Sequence, residues 1–188
     1  LESEEELFLE PFSPPPVLYV FGGGHVGGQI CRAASAIGFL VTVIDDRPMF
    51  ANRSRHPEAA DCRVEEMDRV FDRLPVDGQT YVIAATRGHE HDEIVVEQAI
   101  RTPARYIGML GSERKKLVLW KRLLGRGADE QRLATVSAPI GLNLGADTPE
   151  EIAVSVVAEL IRYRRGGSRR EWKTKPKSVD LPGSVPTL

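Results

Sequence analysis

A glycine turn between an apolar run and a helical pattern is the part of the sequence best suited to bind a ligand. Residues 17–28 read Val-Leu-Tyr-Val-Phe-Gly-Gly-Gly-His-Val-Gly-Gly, so Gly22, Gly24 and Gly27 fit the spacing G-x-G-x-x-G. The first glycine allows a tight turn, the second lets the backbone approach a pyrophosphate, and the third lets the helix pack close to the strand. The helix would begin with free N–H groups and the positive end of its dipole directed at phosphate. The segment therefore predicts a dinucleotide-binding turn.

Two side chains near this turn are candidates for direct contact with such a ligand. Asp45 ends the run Val-Thr-Val-Ile-Asp and lies 23 positions after Gly22, close to the roughly 20 expected for an acid that binds a ribose hydroxyl. His25 follows the second glycine directly and is placed to donate to a phosphate.

The elements that must position these residues alternate between strand-like and helix-like patterns. Short β-branched runs separated by longer amphipathic segments are typical of a parallel sheet covered on both faces. We therefore predict an α/β, Rossmann-like, doubly wound and mostly parallel sheet. The predicted strands lie near 17–21, 39–44, 80–84, 105–109 and 133–137, and the predicted helices near 26–37, 91–101, 113–124 and 149–165. Gly38 is the expected stop of the first helix, and Thr148-Pro-Glu-Glu151 the expected capping box of the last.

Ligands of open parallel sheets lie beyond the carboxyl ends of the strands, which directs attention to the segment after the third predicted strand. There Arg87 is suited to pair with a phosphate, and His89 to donate a hydrogen bond or act as a ligand. His89 and His91, followed by Asp92, also fit a spacing used for metal ligands. Asp92 equally suits capping of the next helix, and we predict no metal site.

The segment after the fourth predicted strand is a second candidate for binding an anion. Gly111 leads into Ser112, which can cap a helix whose free N–H groups, with Arg114 and Lys115, would attract phosphate. An ordinary strand-to-helix turn with solvated basic residues explains the same pattern equally well.

Composition limits the class of protein without identifying it. A length of 188 residues with 41% hydrophobic content supports one compact domain, and a net charge of −2 gives no reason to expect nucleic acid as a partner. We find no apolar stretch long enough to span a membrane and no basic signal peptide, so we expect a cytoplasmic protein. The predicted organisation is an acidic, proline-rich linker at 1–16, a Rossmann-like domain at 17–165 and a basic flexible tail at 166–188.

Five ordered blocks of sequence resemble the xanthine dehydrogenase accessory proteins of the XdhC/CoxI type. They are residues 8–28, Val-Ile-Asp-Asp-Arg-Pro at 43–48, Thr-Arg-Gly-His-Glu-His-Asp at 86–92, the segment 106–116 and the segment 139–153. Within the third block, the family pattern matches His89 and Asp92 rather than His91. Members of that family carry a further N-terminal domain, with a cysteine implicated in function, before this linker. The first residue here is Leu rather than Met, which is expected of a fragment or of a processed chain.

The resemblance implies a factor that binds molybdenum cofactor (molybdopterin) and helps to load it into a molybdenum hydroxylase apo-enzyme, with no catalytic residues of its own. Two alternatives stay open, an NAD(P)-dependent oxidoreductase and a noncatalytic nucleotide sensor. The first is less favoured because the sequence has no identifiable Tyr-x-x-x-Lys pair to transfer a proton. The bound cofactor is accordingly molybdopterin or a dinucleotide such as NAD(P), and a homodimer is left open. The predicted cofactor-binding residues are Gly22, Gly23, Gly24, His25, Val26, Gly27, Asp45, Arg47, Arg87, His89, Gly111, Ser112, Arg114 and Lys115.

Overall fold

The computed structural model describes residues 14–166, apart from the side chain of His89. Most of the predicted linker and of the predicted tail therefore lies outside the described residues. The strands are β1 (Val17–Phe21), β2 (Leu40–Asp45), β3 (Asp61–Val64), β4 (Tyr81–Ala84) and β5 (Tyr106–Met109). The helices are α1 (His25–Ala36), α2 (His89–Ala99), α3 (Glu113–Gly125), α4 (Glu130–Thr135) and α5 (Pro149–Arg164), with a 3₁₀ turn at Val70–Arg73. Within residues 14–166, no helix is both long and apolar enough to cross a membrane.

The five strands form one sheet in the order β3-β2-β1-β4-β5, and every strand pair is parallel. Chain order reverses direction at β1, because β2 and β3 lie on one side of it and β4 and β5 on the other. The predicted Rossmann-like α/β fold is confirmed. In such sheets the crevice beside the reversal, at the carboxyl ends of the strands, is the general ligand site.

Each face of the sheet is covered by helices, as the alternating side chains of β1 illustrate. Leu18 and Val20 are buried against α1 and α5 on one face, whereas Tyr19 and Phe21 are buried against α2, α3 and α4 on the other. Successive residues of a strand point to opposite faces, so a strand buried on both faces has a continuous apolar sequence. The central position of β1 fixes the end of the strand, and with it the glycine turn, at the middle of the sheet edge.

Local sequence signals set several helix ends as predicted. Gly38, at φ 87°, follows the end of α1. The Ser112 hydroxyl accepts a hydrogen bond from the backbone N–H of Lys115 at the start of α3. Thr148 forms the predicted capping box with Glu151 at the start of α5. The side-chain oxygens of Ser112 and Thr148 thus satisfy backbone N–H groups that have no partner within the helix.

Two parts of the predicted strand pattern are wrong. The segment predicted as a strand at 133–137 contains the end of α4, which Asp129 caps, and its strand character is limited to a single parallel bridge between Ser137 and Gly108. Strand β3 was not predicted, because its sequence Asp-Cys-Arg-Val is polar and lacks a clear apolar period. It lies at the edge of the sheet, where a strand buries less surface and needs fewer apolar side chains.

Candidate functional site

Close backbone contacts around the turn explain two of the three motif glycines. A Cβ at Gly22, which has φ 110°, would lie 2.2 Å from the carbonyl oxygen of Ala85. A Cβ at Gly27 would lie 1.8 Å from the carbonyl oxygen of Gly22. The turn is also fixed to the sheet, since Gly22 N donates to Ile44 O at 2.7 Å. Gly22 and Gly27 are therefore required by the fold, whatever the ligand.

Gly24 differs from these two glycines because the space beside it is open. A Cβ built on Gly24 meets no heavy atom within 4 Å, and its φ of −69° suits any residue. Gly24 is also the N-cap of α1, and no side chain caps that helix. The first N–H groups of α1 are thus available to an anion that approaches over Gly24, as the motif predicts.

The next two residues of the turn have different surroundings. His25 is the exposed first residue of α1, which leaves its ring accessible to a ligand. Val26 is half-buried and packs against the core on the α1 side of the sheet. The side chain of Val26 therefore supports the helix, and a ligand contact from this residue would come from its backbone.

Asp45 is buried at the end of β2 and bonded to the turn. Its Oδ2 accepts from the backbone N–H of Gly23 at 2.9 Å and from Arg47 Nη2 at 3.1 Å. Its Oδ1 accepts from Arg47 N at 3.1 Å and Arg47 Nε at 2.9 Å. Burial by itself would raise the pKa of Asp45, but the bonds from Arg47 and Gly23 hold that pKa below its ordinary value. The ribose contact of Asp45 stays a prediction, and its filled acceptors argue against it.

The neighbouring Asp46 forms ion pairs that the sequence did not indicate. Its Oδ2 accepts from Arg87 Nη2 at 3.0 Å, and its Oδ1 lies 3.7 Å from Arg47 Nε. Arg47 and Arg87, both predicted to bind the cofactor, are thus brought together around one carboxylate at the mouth of the crevice. The side chain of Arg87 is 53% exposed and can contact solvent or a ligand without rearrangement.

The segment after β2 supports the turn from the other side. A Cβ at Gly23 would lie 2.0 Å from the carbonyl oxygen of Phe50, which also receives a hydrogen bond from buried His56 Nε2 at 2.8 Å. Arg55 Nε donates to Gly23 O at 3.1 Å. The guanidinium of Arg47 lies 3.7 Å from the centroid of the Phe50 ring. No motif in the sequence marked Arg55 or His56, because their role depends on the path of this loop in three dimensions.

Asp92, in α2, links the loop after β4 to the start of α3, which follows β5. It is buried within the first turns of α2 and accepts from Thr86 N at 2.9 Å and Thr86 Oγ1 at 2.7 Å. It also pairs with the ammonium group of Lys115, which donates in addition to Leu110 O at 3.3 Å. The N-cap of α2 is Gly88 rather than Asp92, so the capping role considered for Asp92 is wrong. The predicted contact of Lys115 with a phosphate stays a prediction, and its ammonium group already has a buried carboxylate partner.

The second predicted anion site lies at the start of α3, beside a cavity of about 410 Å³. Arg114 is exposed and lines this cavity with Ser112, Lys115 and Arg122. Glu93, in the cavity wall, bonds Arg122 and so reduces the positive charge there. A Cβ at Gly111 would lie 2.7 Å from Lys115 Cδ, so this glycine lets the lysine side chain fold back over the turn. The arrangement fits an ordinary strand-to-helix turn as well as an anion site.

His89 and the spacing considered for metal ligands are the last sequence features to be located in the structure. Helix α2 begins at His89, whose side chain lies outside the described residues. In the described part of the chain, no three His, Cys, Asp or Glu side chains are grouped as metal ligands would be.

Comparison with known proteins agrees with this geometry. Residues 18–160 match the family model described as the XdhC Rossmann domain. A protein of Bacillus subtilis, described as a probable subunit of xanthine dehydrogenase, is 34% identical over 162 residues, covering 85% of this chain and 46% of the relative. An uncharacterized Escherichia coli K12 protein, YqeB, is 29% identical over 159 residues, covering 84% of this chain and 29% of the relative.

A solved structure extends the likeness from sequence to fold. The crystal structure of a xanthine dehydrogenase from Bacillus halodurans superposes with a TM-score of 0.72 at 29% identity, covering 82% of this chain and 46% of that one. The chain thus spans less than half the length of each of these relatives. The family match covers the sheet from the second residue of β1 onwards and both loops that flank the glycine turn, and the chain belongs to the XdhC Rossmann domain family.

Proposed function

We propose that this chain is the cofactor-binding domain of an accessory protein for molybdenum hydroxylases of the xanthine dehydrogenase or CO dehydrogenase type. It would hold molybdenum cofactor and assist its insertion into the apo-enzyme. The observation that carries the proposal is the open space over Gly24 at the uncapped start of α1, in a chain of the XdhC Rossmann domain family. The names of the relatives supply the link to xanthine dehydrogenase.

The contacts around the turn suit the phosphate end of such a cofactor. Free N–H groups at the start of α1 would bind the phosphate, and Arg87, which pairs with Asp46 but is 53% exposed, would donate to it from the mouth of the crevice. Charge-assisted hydrogen bonds of this kind are strong when water is excluded and weaken when water or a partner competes. A carrier that must release its cargo needs both properties.

The engaged state of the acidic side chains favours holding over catalysis. Asp45 is bonded to Arg47, Asp46 pairs with Arg87, and Asp92 pairs with Lys115. A general acid or base must exchange a proton with substrate, whereas each of these carboxylates is held as the anionic partner of a basic side chain, an arrangement suited to accepting hydrogen bonds. The molybdenum centre would supply its redox chemistry after delivery, and on this chain the cofactor would be cargo.

An NAD(P)-dependent oxidoreductase is the second candidate, and one observation favours it. The strand order β3-β2-β1-β4-β5, with G-x-G-x-x-G after β1, is that of dinucleotide-binding domains. Binding of NAD(P)H together with substrate-dependent turnover would support this alternative.

Activation of an apo-hydroxylase tests the proposal in a full-length background, because this chain spans only part of its relatives. The variants are Gly24→Val, which fills the open space, and Gly78→Val as the matched control. A Cβ at Gly78 also meets no atom within 4 Å. This residue, however, precedes β4 and so lies at the amino ends of the strands, away from the glycine turn. We expect Gly24→Val to lose retention of molybdopterin and activation together, with Gly78→Val like wild type. Equal activation by both variants would refute the proposal.

A further inference from the structure

The acid that ends β2 has no acceptor left for a ligand. A carboxylate offers about four lone-pair positions, and hydrogen bonds from Gly23 N, Arg47 N, Arg47 Nε and Arg47 Nη2 occupy the two oxygens of Asp45. The residue is 2% exposed. Its bonds hold the glycine turn and the Arg47 guanidinium in place, which is a positioning role.

The next residue, Asp46, has both a partly exposed side chain and a free acceptor oxygen. The side chain of Asp46 is 27% exposed, and its Oδ2 accepts one hydrogen bond, from Arg87. Its Oδ1 lies 3.7 Å from Arg47 Nε, which is longer than a hydrogen bond. Asp46 therefore retains acceptor capacity on Oδ1, while the hydrogen bond from Arg87 to Oδ2 fixes the orientation of the carboxylate.

Asp46 also lies close enough to the glycine turn to contact a ligand bound there. It follows β2 directly, and its partner Arg87 belongs to the loop after β4. Since β2 and β4 are the two neighbours of β1, the Asp46 carboxylate lies beside the end of β1, where the glycine turn begins. A ligand with a diphosphate over Gly24 would bring the adjoining sugar towards this carboxylate.

We infer that Asp46, rather than Asp45, accepts the ribose hydroxyls of a nucleotide-bearing ligand in this crevice. The inference rests on the proposed function, since it takes a phosphate-bearing cofactor on the turn as given. It adds the class of ligand that the site recognises: a cofactor joined to a ribonucleotide through a diphosphate.

Matched pairs of ribose and 2′-deoxyribose diphosphates test this assignment. The probes are ADP against 2′-deoxy-ADP and CDP against 2′-deoxy-CDP, titrated by calorimetry with the same protein. In wild type we expect the ribose form to bind about tenfold more tightly, the scale of one hydrogen bond to a charged group. In Asp46→Ala the ratio should fall to about one, and in Asp46→Asn, which keeps an acceptor oxygen, it should be intermediate.

The control is Asp61→Ala. This aspartate lies at the amino end of β3, whereas Asp46 follows the carboxyl end of β2. Its ratio should equal that of wild type. A ratio that survives in Asp46→Ala, a wild type that does not distinguish the sugars, or a failure of both ribose diphosphates to bind would each overturn the inference. Retention of molybdopterin is measured separately, so loss of the ribose preference and loss of the proposed function are distinguishable.

Discussion

Arg87 Nη2 donates to Asp46 Oδ2 at 3.0 Å, and this ion pair joins the loop after β4 to the end of β2. The two loops flank β1 on either side, so the pair connects the borders of the crevice into which the glycine turn opens. A ligand that enters the crevice must contact this pair or displace it. Arg87 is therefore a point at which binding can be altered without disturbing the core.

Arg87→Ala should weaken binding of a diphosphate ligand by about tenfold, because a charge-assisted contact is lost. The free energy of unfolding should change by less than about 1 kcal/mol, since the Arg87 side chain is 53% exposed and its pairing is screened by solvent. Calorimetric titration and urea unfolding measure the two effects. Arg101→Ala is the matched control, because Arg101 is an exposed arginine that follows α2 and pairs with Glu97 inside that helix. Equal affinities in both variants would remove Arg87 from the site.

Asp45→Asn should lower the free energy of unfolding by about 2 kcal/mol at neutral pH, through weaker bonds to Arg47 and Gly23. The pKa of Asp45 is lowered in the folded protein, so its carboxylate stabilises the fold above the ordinary pKa of 3.8 and loses this effect as pH falls below that value. Urea unfolding of both proteins between pH 3 and pH 7 checks this. The advantage of wild type should be constant above about pH 5 and shrink towards pH 3. A pH-independent difference would contradict the role given to the charge.

Lys115→Met should destabilise the domain by about 3 kcal/mol, because the buried carboxyl group of Asp92 would lose its ion-pair partner. Adding Asp92→Asn to this variant should restore part of the lost stability. Arg114→Ala, at an exposed neighbour in the same helix, should leave stability unchanged. Thermal unfolding of the four proteins, wild type included, tests this. A Lys115→Met protein as stable as wild type would show that the lysine is free to serve a ligand.

Pure protein should show no steady-state oxidation of NADH with small alcohols, aldehydes or hydroxy acids. The acids at the crevice, Asp45, Asp46 and Asp92, are paired with Arg47, Arg87 and Lys115, so none of these carboxylates is placed to act as the proton donor in hydride transfer. Absorbance at the nicotinamide band measures the rate. Sustained, substrate-dependent turnover would promote the oxidoreductase alternative.

The parts of the molecule that were predictable are those encoded locally. The glycine spacing, the apolar run of β1 and the capping residues Ser112 and Thr148 each act over a few neighbouring residues. Strand β3 was missed because an edge strand needs little apolar sequence. The segment 133–137 was misassigned because a short apolar run does not distinguish strand from helix.

The internal contacts of the site were beyond local reasoning. Asp92 and Lys115 lie 23 positions apart, and Asp46 and Arg87 lie 41 apart. Sequence patterns indicated that Arg87 and Lys115 were suited to phosphate, but not that carboxylates of the same chain already bind them. Likewise, Asp45 and Asp46 are adjacent and identical in type, and only their different burial separates their roles.

The central claim is that the open space over Gly24 holds the phosphate end of molybdenum cofactor, and equilibrium titration of molybdopterin tests it most directly. The account predicts that wild type and Gly78→Val bind it with equal affinity, and that Gly24→Val, folded to the same extent by circular dichroism, does not bind measurably. Equal binding by wild type and a folded Gly24→Val protein would contradict the account.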